Sequence, residues 1–268
     1  MRKSPLINVM ERAARRAARS LLHDFGEVEN LQVSRKGPAD FVSQADLQAE
    51  RILREELAKA RPDFGFRLEE GGEVPAKDGK SYWIVDPLDG TTNFLHGVPH
   101  FAISIGVEQQ GEIVAGMVLE PTRDELFFAE RGKGAFLNDT RIRVSARTRM
   151  ADSLIGTGMP FLGRGGHALF HAELKALTDQ VAGVRRLGVA SLDLAYVAAG
   201  RLDAFWERGL KPWDIAAGIV LVREAGGLVT DLGGGKKMLE SGDILAGNTG
   251  VHPTLLKLLK DAAKTVAA

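Results

Sequence analysis

Two kinds of hydrophobic pattern divide this chain. In residues 5–25 and 43–60 the apolar side chains recur every three or four positions, which predicts two amphipathic helices. Between residues 101 and 144, short apolar runs are separated by turn residues such as Gly111, a pattern typical of an antiparallel meander of strands. After about residue 150, short apolar runs alternate with helical periods, and this order favours α/β layering.

The change of pattern near residue 150 predicts two parts. We expect an α+β part over residues 1–150 and an α/β part over residues 151–268, which makes the fold class α/β overall. A chain of 268 residues is long enough for one large domain or for two closely packed halves, and for a sizeable core.

Local signals mark several element ends. Ser43 followed by Asp46 resembles a helix-capping arrangement at the start of the second helix. The Lys36-Gly37-Pro38 segment and the polar run from Glu69 to Lys80 are predicted to be loops, the latter a mobile one. A short apolar strand, Tyr82 to Val85, then leads directly into an acidic residue.

Composition excludes several classes of protein. Lysine plus arginine equals aspartate plus glutamate at 35 each, so the formal net charge is zero and the charge typical of a dedicated nucleic-acid binder is missing. The chain has no cysteine, which excludes disulfides, zinc–thiolate sites and a phosphocysteine intermediate. No run approaches the ~18 apolar residues of a membrane helix, and a cytoplasmic location is the simplest expectation.

The segment that carries the most chemistry follows the predicted strand at Tyr82–Val85. Asp86 ends that strand, Pro87 stiffens a turn, and Asp89 follows three residues after the first acid. Two carboxylates this close repel each other unless a cation lies between them, and hard oxygen ligands on a rigid turn suit Mg²⁺. An acidic turn in which an aspartate caps a helix is the alternative.

The next residues favour binding of an anion. If the chain enters a helix at Gly90-Thr91-Thr92, its unpaired backbone N–H groups point to the same place as the two carboxylates. A metal and a helix N-terminus that converge on one point indicate phosphate chemistry.

A second acidic segment lies more than a hundred residues later. Asp214 begins a predicted apolar helix that ends near residues 224–227, and taken alone it is most simply an N-cap. Together with Asp86, Asp89 and Glu69, it would complete a shared metal site.

These motifs resemble the inositol monophosphatase family. The resemblance is carried by Asp-Pro-Leu-Asp-Gly-Thr-Thr-Asn-Phe at 86–94, Trp-Asp-Ile-Ala-Ala-Gly at 213–218 and Glu-Ala-Gly-Gly at 224–227. It covers nearly the whole chain, and residues 192–201 resemble the bacterial extragenic-suppressor branch. The resemblance implies the layered αβαβα sandwich of the inositol monophosphatase and fructose-1,6-bisphosphatase type, with the metal and phosphate site in the first part and completed by the second.

The resemblance also implies two to three Mg²⁺ ions. One would be held by Glu69, Asp86 and the backbone carbonyl of Leu88, and a second by Asp86, Asp89 and Asp214. A third, looser ion would lie near Glu69. Where the family usually has Gly-Glu-Glu-Ser, this chain has Leu-Glu-Glu-Gly at 68–71, so both acids are kept while their flanks change.

The implied mechanism is metal-assisted hydrolysis without a covalent enzyme intermediate. A metal lowers the pKa of a bound water, and paired cations hold the attacking and leaving oxygens. By resemblance, Glu69 and Thr91 orient that water, and Asp46 bonds the Thr91 hydroxyl. The backbone N–H groups of Gly90 and Thr91 would hold the phosphate oxygens.

For the alcohol part of the substrate, the resemblance points to Asp89, Glu207 and the backbone at Ala190. A solvated strand end is the alternative for Glu207. Specificity is expected in the loops at residues 163–167 and 184–186, whose arginines could meet a further phosphate or face solvent.

The expected reaction is hydrolysis of myo-inositol monophosphate to inositol and phosphate. The same fold acting on histidinol phosphate, fructose 1,6-bisphosphate or 3′-phosphoadenosine 5′-phosphate is an alternative. A regulatory partner-binding protein with incidental catalysis is another. The resemblance further implies lithium sensitivity and a homodimer.

Overall fold

The computed structural model of the chain describes residues 3–27, 33–37 and 40–267. Within these ranges the helices are α1 Pro5–Phe25, α2 Gln44–Ala60, α3 Thr91–Leu95, α4 His167–Thr178, α5 Ala190–Ala198, α6 Pro212–Glu224, α7 Met238–Ser241 and α8 His252–Ala267. The strands are β1 Val33–Gly37, β2 Asp40–Ser43, β3 Gly65–Leu68, β4 Gly72–Val74, β5 Ser81–Asp89, β6 Ala102–Gln109, β7 Glu112–Glu120, β8 Glu125–Glu130, β9 Gly134–Leu137, β10 Thr140–Ile142, β11 Leu154–Thr157, β12 Gly183–Arg185, β13 Ala204–Glu207, β14 Leu228–Thr230 and β15 Ile244–Gly247.

Two sheets contain most of the strands. The larger has the order β10-β9-β8-β7-β6-β5-β3-β4 and is antiparallel except where β3 runs parallel to β5. The smaller has the order β12-β11-β13-β15-β14, with parallel and antiparallel pairs. Strands β1 and β2 form a separate antiparallel ladder.

Alternating side chains on the larger sheet bury both of its faces. Trp83 and Val85 of β5 pack with α1 and α2, while Ile84 between them packs with α5 and α6. On the smaller sheet Phe205 contacts α5 and α6, while Trp206 packs with α4 and α8. The layers are therefore α1/α2, sheet, α5/α6, sheet and α4/α8, which confirms the expected αβαβα sandwich.

The two N-terminal helices confirm the periodicity analysis. Ser4 caps α1 by accepting a hydrogen bond from the Ile7 N–H. The Ser43 side chain accepts from the first amides of α2, and the Asp46 carboxylate accepts from the Ser43 N–H at 2.9 Å, forming a capping box.

Several local predictions were wrong. The predicted loop from Glu69 to Lys80 contains β4, because the apolar residue Val74 pairs with Phe66 of β3. The last strand of the meander is Thr140–Ile142 rather than Ile142–Val144. It pairs with β9, a strand that the sequence pattern did not separate from its neighbours.

The predicted loop at Lys36-Gly37-Pro38 was wrong in part. Lys36 and Gly37 belong to β1, which pairs with β2, and Pro38 lies outside the described residues.

The two sheets are formed by different segments of the chain, and these segments can be compared with the predicted division at residue 150. The strands of the larger sheet lie between residues 65 and 142, and those of the smaller between 154 and 247. Helices α5 and α6 from the later segment nevertheless pack against the larger sheet. The boundary between residues 1–150 and 151–268 stays a prediction. None of the helices in the described ranges is long and apolar enough to cross a membrane.

Candidate active site

Parallel pairing of β3 with β5 brings the first two acids together. Leu68 lies opposite Val85, so the residues that follow them, Glu69 and Asp86, are neighbours. The Glu69 N–H donates to the Val85 carbonyl at 3.3 Å, which fixes the backbone at this point. Contact between Glu69 and Asp86 therefore depends on a strand pairing between residues that are distant in the sequence.

An irregularity in β5 sets the positions of the two motif aspartates. Asp86 pairs with Ser104 of β6 and Asp89 pairs with Ala102, so three steps on one strand correspond to two on its partner. In a regular strand, residues three apart point to opposite faces, whereas one extra residue in a bulge restores the same side. The strand thus continues beyond the predicted end at Val85, and both aspartates contribute to one site.

The chain turns into a short helix directly after Asp89. Gly90 has φ +94°, and a side chain there would come within 2.8 Å of Val189 Cγ2, so glycine is required for both conformation and space. Helix α3 begins at Thr91, as the motif predicts, and the N–H groups of its first turn have no partner within the helix. An anion that enters the cleft beside Asp89 meets these amides.

The hydrogen bond expected between Asp46 and Thr91 is present. The Thr91 hydroxyl lies 3.1 Å from Asp46 Oδ1 and also 3.1 Å from the Leu88 carbonyl, so its single proton has two acceptors. The other carboxylate oxygen of Asp46 is held by the Ser43 backbone and hydroxyl. Burial raises the pKa of Asp46, and the hydrogen bonds from Ser43 and Thr91 oppose that rise.

Asp214 comes from the opposite side, at the start of α6. It is the third residue of the helix rather than its N-cap, and Oδ2 accepts from the Lys211 N–H at 2.7 Å. The simple N-cap interpretation was therefore wrong, because Pro212 begins the helix two residues earlier. Asp86 and Asp89 also have one oxygen held by a backbone amide, at 2.9 Å from Leu88 N and 2.8 Å from Ser191 N respectively.

Burial and neighbouring charges raise the pKa values of three acids of the site. Burial raises the pKa of Asp86 well above its usual value, and the charges of Glu69, Asp89 and Asp214 raise it further. Burial, followed by the charge of Asp89, also raises the pKa of Asp214. Burial raises the pKa of Asp89 to about 6 despite the hydrogen bonds from Ser191.

The chemistry of this donor set fits a hard divalent cation. The ligands are oxygen atoms on short, backbone-anchored side chains, and their negative charge is concentrated in a buried place. Among the described residues, no group of three or more acidic or histidine side chains has a geometry that could hold a metal ion. Glu69 lies beside Asp86 through the β3–β5 pairing, and Glu69, Asp89 and Asp214 line the same cleft, so a cation bound there would offset the repulsion between their charges. The Leu88 carbonyl faces the Thr91 hydroxyl and has a second lone pair for an ion.

A cleft of about 290 Å³ opens over these acids. Its lining includes most of the predicted site residues: Glu69, Asp89, Gly90, Thr91, Ala190, Glu207 and Asp214. Asp86 and Leu88 are buried, and the Thr91 hydroxyl contacts Asp46. The structure thus brings all the predicted residues to one region, contributed by both sheets.

Glu207 forms the far side of the cleft at the end of β13. Its carboxylate lies against the backbone of Gly158, where an added Cβ would come within 1.9 Å of the Glu207 Cδ. Burial raises the pKa of Glu207 to about 7, while Arg164 and Arg186 lower it and Asp89 raises it. Glu207 is thus a partly buried strand end that faces the cleft.

The other predicted substrate contacts were the backbone at Ala190 and the loops at residues 163–167 and 184–186. The backbone amides of Ala190 and Ser191, at the start of α5, face the Asp89 carboxylate. Arg164 and Arg186, from the two loops in which specificity was expected, line the cleft. They provide positive charge beside Glu207.

One buried acid near the site was not singled out by the sequence analysis. Asp193 is 1% exposed, and its Oδ1 has no hydrogen-bond partner among the described residues. Burial raises its pKa well above the usual value, and the charges of Glu207 and Asp89 raise it further. The sequence feature that could have identified Asp193 is an acid within the mainly apolar segment that forms α5. All residues of this helix are buried.

Comparison with known proteins gives a consistent result. The sequence model of the inositol monophosphatase family matches residues 2–264. The chain is 60% identical over 260 residues to an inositol-1-monophosphatase of Rhizobium meliloti (strain 1021), covering 97% of this chain and 98% of the relative. It is 46% identical to the Nus factor SuhB of Pseudomonas aeruginosa, covering 96% of each chain.

A solved structure is similarly close. The crystal structure of the extragenic suppressor protein SuhB from Bartonella henselae superposes with a TM-score of 0.94 at 57% identity, covering 96% of this chain and 99% of that one.

Proposed function

This chain belongs to the inositol monophosphatase family, and we propose that it hydrolyses myo-inositol monophosphate to inositol and phosphate with Mg²⁺ as its cofactor. Relatives about 60% identical over nearly the whole chain are named inositol-1-monophosphatase, so the enzyme class is inositol-phosphate phosphatase. One observation carries the proposal. Acids from three separate segments, Glu69, Asp86 with Asp89, and Asp214, converge beside the N–H groups that begin α3.

The phosphate end of the substrate would bind at the floor of the cleft. The N–H groups of Gly90 and Thr91 follow the turn out of β5 at the start of α3, and they would donate to phosphate oxygens without a competing helix bond. Because these amides are part of the backbone, they are already oriented before the substrate arrives.

Glu69, Asp86, Asp89, Asp214 and the Leu88 carbonyl would hold two to three Mg²⁺ ions. When bound, Mg²⁺ neutralises the phosphate charge, lowers the pKa of water and stabilises the leaving oxygen.

Glu69 and Thr91 would orient the attacking water. With the Leu88 carbonyl directed to an ion, the Thr91 hydroxyl would donate its proton to Asp46, which leaves its oxygen lone pairs available to accept a hydrogen bond from water. Asp46 is buried and anchored by Ser43, so it offers that proton a fixed acceptor. A water oriented in this way can attack phosphorus in line with the leaving alcohol.

The alcohol would lie between Asp89 and Glu207. Carboxylates accept hydrogen bonds from hydroxyl groups, and a site built from them rejects analogues that lack those hydroxyls. Arg164 and Arg186 beside Glu207 also offer charge for a second anionic group. Fructose 1,6-bisphosphate and 3′-phosphoadenosine 5′-phosphate, which each carry a second phosphate, are alternative substrates for this reason. Histidinol phosphate, which has a single phosphate, is the third alternative.

The decisive experiment is a phosphate-release assay over these four substrates, with Mg²⁺ and with EDTA. We expect the highest kcat/KM on inositol monophosphate and activity only with Mg²⁺. A clear preference for histidinol phosphate would overturn the choice of substrate. Unchanged turnover of Asp89→Asn and Asp214→Asn with Mg²⁺ in excess would overturn the proposed ligands.

A regulatory role is the second candidate. It is favoured by relatives 42–46% identical to this chain that are named Nus factor SuhB. Affinity capture from extract of the source cells, repeated with Asp214→Asn, tests it: a partner retained by the inactive variant supports binding independent of turnover. We also propose a cytoplasmic homodimer inhibited by lithium, which light scattering and a lithium titration of the activity would test.

A further inference from the structure

Helix α2 carries a second buried acid one turn after Asp46. Glu50 is 7% exposed, and its Oε2 accepts a hydrogen bond from the Glu70 N–H at 2.8 Å. Residues four apart lie on the same face of a helix, so Asp46 and Glu50 both point from α2 toward the site. Asp46 reaches the turn that carries Thr91, and Glu50 reaches the turn that carries Glu69.

The turn between β3 and β4 depends on this contact in a specific way. Glu70 and Gly71 connect the two strands, and Glu69 is the first residue after β3. A Cβ on Gly71 would lie 2.8 Å from Glu50 Oε1 and 3.0 Å from Leu68 Cδ1. Glu50 therefore packs over Gly71 while it bonds Glu70, and the absence of a side chain at position 71 makes room for its carboxylate.

We propose that Glu50 is a positioning residue for Glu69: by holding the Glu70 amide, it fixes the β3–β4 turn so that the Glu69 carboxylate faces Asp86. This rests on the proposed function, in which Glu69 is a metal ligand. The backbone of Glu69 is fixed on one side by the Val85 carbonyl. Glu50 supplies the constraint on the other side, one residue later.

A charge-assisted hydrogen bond to a buried carboxylate is stronger than a neutral one. Loss of such an outer contact typically lowers metal affinity 10- to 100-fold. The effect should appear in the Mg²⁺ dependence of the enzyme more than in kcat at saturating Mg²⁺, because bound metal itself helps to order the turn.

Four variants of the full chain test this proposal. Glu50→Ala removes the acceptor, and Glu50→Gln keeps an acceptor oxygen of the same reach. Glu50→Asp shortens the side chain by one methylene and keeps its charge. This variant replaces Glu50→Ala as the test if the alanine variant does not fold. Glu55→Ala, on the exposed side of the same helix, is the matched control.

We expect calorimetry to show Mg²⁺ binding about 10- to 100-fold weaker in Glu50→Ala and Glu50→Asp. Hydrogen–deuterium exchange in a peptide spanning residues 66–74 should be faster in the same two variants. Glu55→Ala should remain within about twofold of the wild type in both measurements. Glu50→Gln should lie between the wild type and Glu50→Ala, because Gln still accepts the Glu70 N–H but through a weaker, neutral hydrogen bond.

Three results would overturn the proposal. They are equal Mg²⁺ affinity in Glu50→Ala and Glu55→Ala, a loss in Glu50→Gln as large as in Glu50→Ala, and faster exchange throughout the protein rather than in the turn. If the wild type binds Mg²⁺ but hydrolyses no phosphomonoester, the proposed function fails, and the binding and exchange measurements still decide the role of Glu50.

Discussion

The Thr91 hydroxyl lies 3.1 Å from the Asp46 carboxylate, although 45 positions separate the two residues. The contact links α2 to the first turn of α3, at the floor of the cleft. Asp46 is itself fixed by Ser43, so the hydroxyl is held by a chain of buried groups.

Replacement of Thr91 by valine removes the hydroxyl while nearly preserving the shape. We expect kcat on inositol monophosphate to fall about 100-fold, the lower range for loss of a group that handles the water proton. The midpoint of thermal unfolding should fall modestly, because the fully buried Asp46 carboxylate loses one hydrogen-bond donor. Steady-state kinetics check the first result, and Thr178→Val, remote at the end of α4, is the control. Wild-type kcat in Thr91→Val would contradict the role assigned to this hydroxyl.

Asp214→Asn should stabilise the metal-free protein. The pKa of Asp214 is raised by burial and by the charge of Asp89, so its ionisation costs folding free energy above the pKa of the unfolded chain. Asn removes that cost and can still accept the Lys211 N–H through its amide oxygen. We therefore expect a higher free energy of unfolding than in the wild type at pH 8 with EDTA.

The same variant should lose most of the stabilisation that Mg²⁺ gives to the wild type. Thermal unfolding with and without Mg²⁺ measures both effects, and Asp179→Asn at the exposed end of α4 is the control. A destabilised Asp214→Asn in EDTA would show that repulsion among these acids does not limit stability.

Glu207 should make stability depend on pH. Its folded pKa of about 7 lies above the unfolded value of 4.5, so the folded state binds the extra proton between these values. The Glu207 contribution therefore falls as pH rises from 4.5 to 7, and it is constant above pH 7. Relative to the wild type, metal-free Glu207→Gln should become more stable across this window, by up to about 3 kcal/mol. Urea unfolding at four pH values measures the difference, and a gap independent of pH would contradict the assigned pKa.

Gly158→Ala tests the placement of Glu207 on the substrate side. The added methyl group would overlap the Glu207 carboxylate, which must then move. We expect KM for inositol monophosphate to rise about tenfold, in line with loss of one charged hydrogen bond. KM for p-nitrophenyl phosphate, which has no polyol hydroxyls, should change little. Gly26→Ala, at the end of α1 and with no contact closer than 3.4 Å to the added methyl group, is the control. Equal effects on both substrates would argue against contact between Glu207 and the polyol.

Much of the site could be identified from short motifs. Asp86, Asp89 and the glycine after them are close in sequence, so their spacing alone indicated carboxylates beside a turn into a helix. The capping box of Ser43 and Asp46 was likewise visible, because it depends on residues within one helical turn. The resemblance to the family then connected these local signals with Glu69, Asp214 and Glu207. These three residues are distant in the sequence, so no short motif links them.

Other features of the site could not be derived from spacing. The bulge between Asp86 and Asp89 appears only when β5 is paired with β6, since it is a mismatch between two strands. The hydrogen bond from the Glu70 N–H to Glu50 depends on the turn between β3 and β4. The polar composition of residues 69–80 gave no indication of β4. Gly158 and Glu207 meet because neighbouring strands β11 and β13 end side by side.

The sequence by itself determined which groups are available: oxygen ligands without cysteine, a glycine that permits the turn at position 90, and helices with suitable caps. These properties depend on residue type and on contacts within a few positions. The tertiary structure decided which acids become neighbours, because strand pairing and burial act between distant residues. Burial then raised their pKa values, and that change in chemistry exists only in the folded chain.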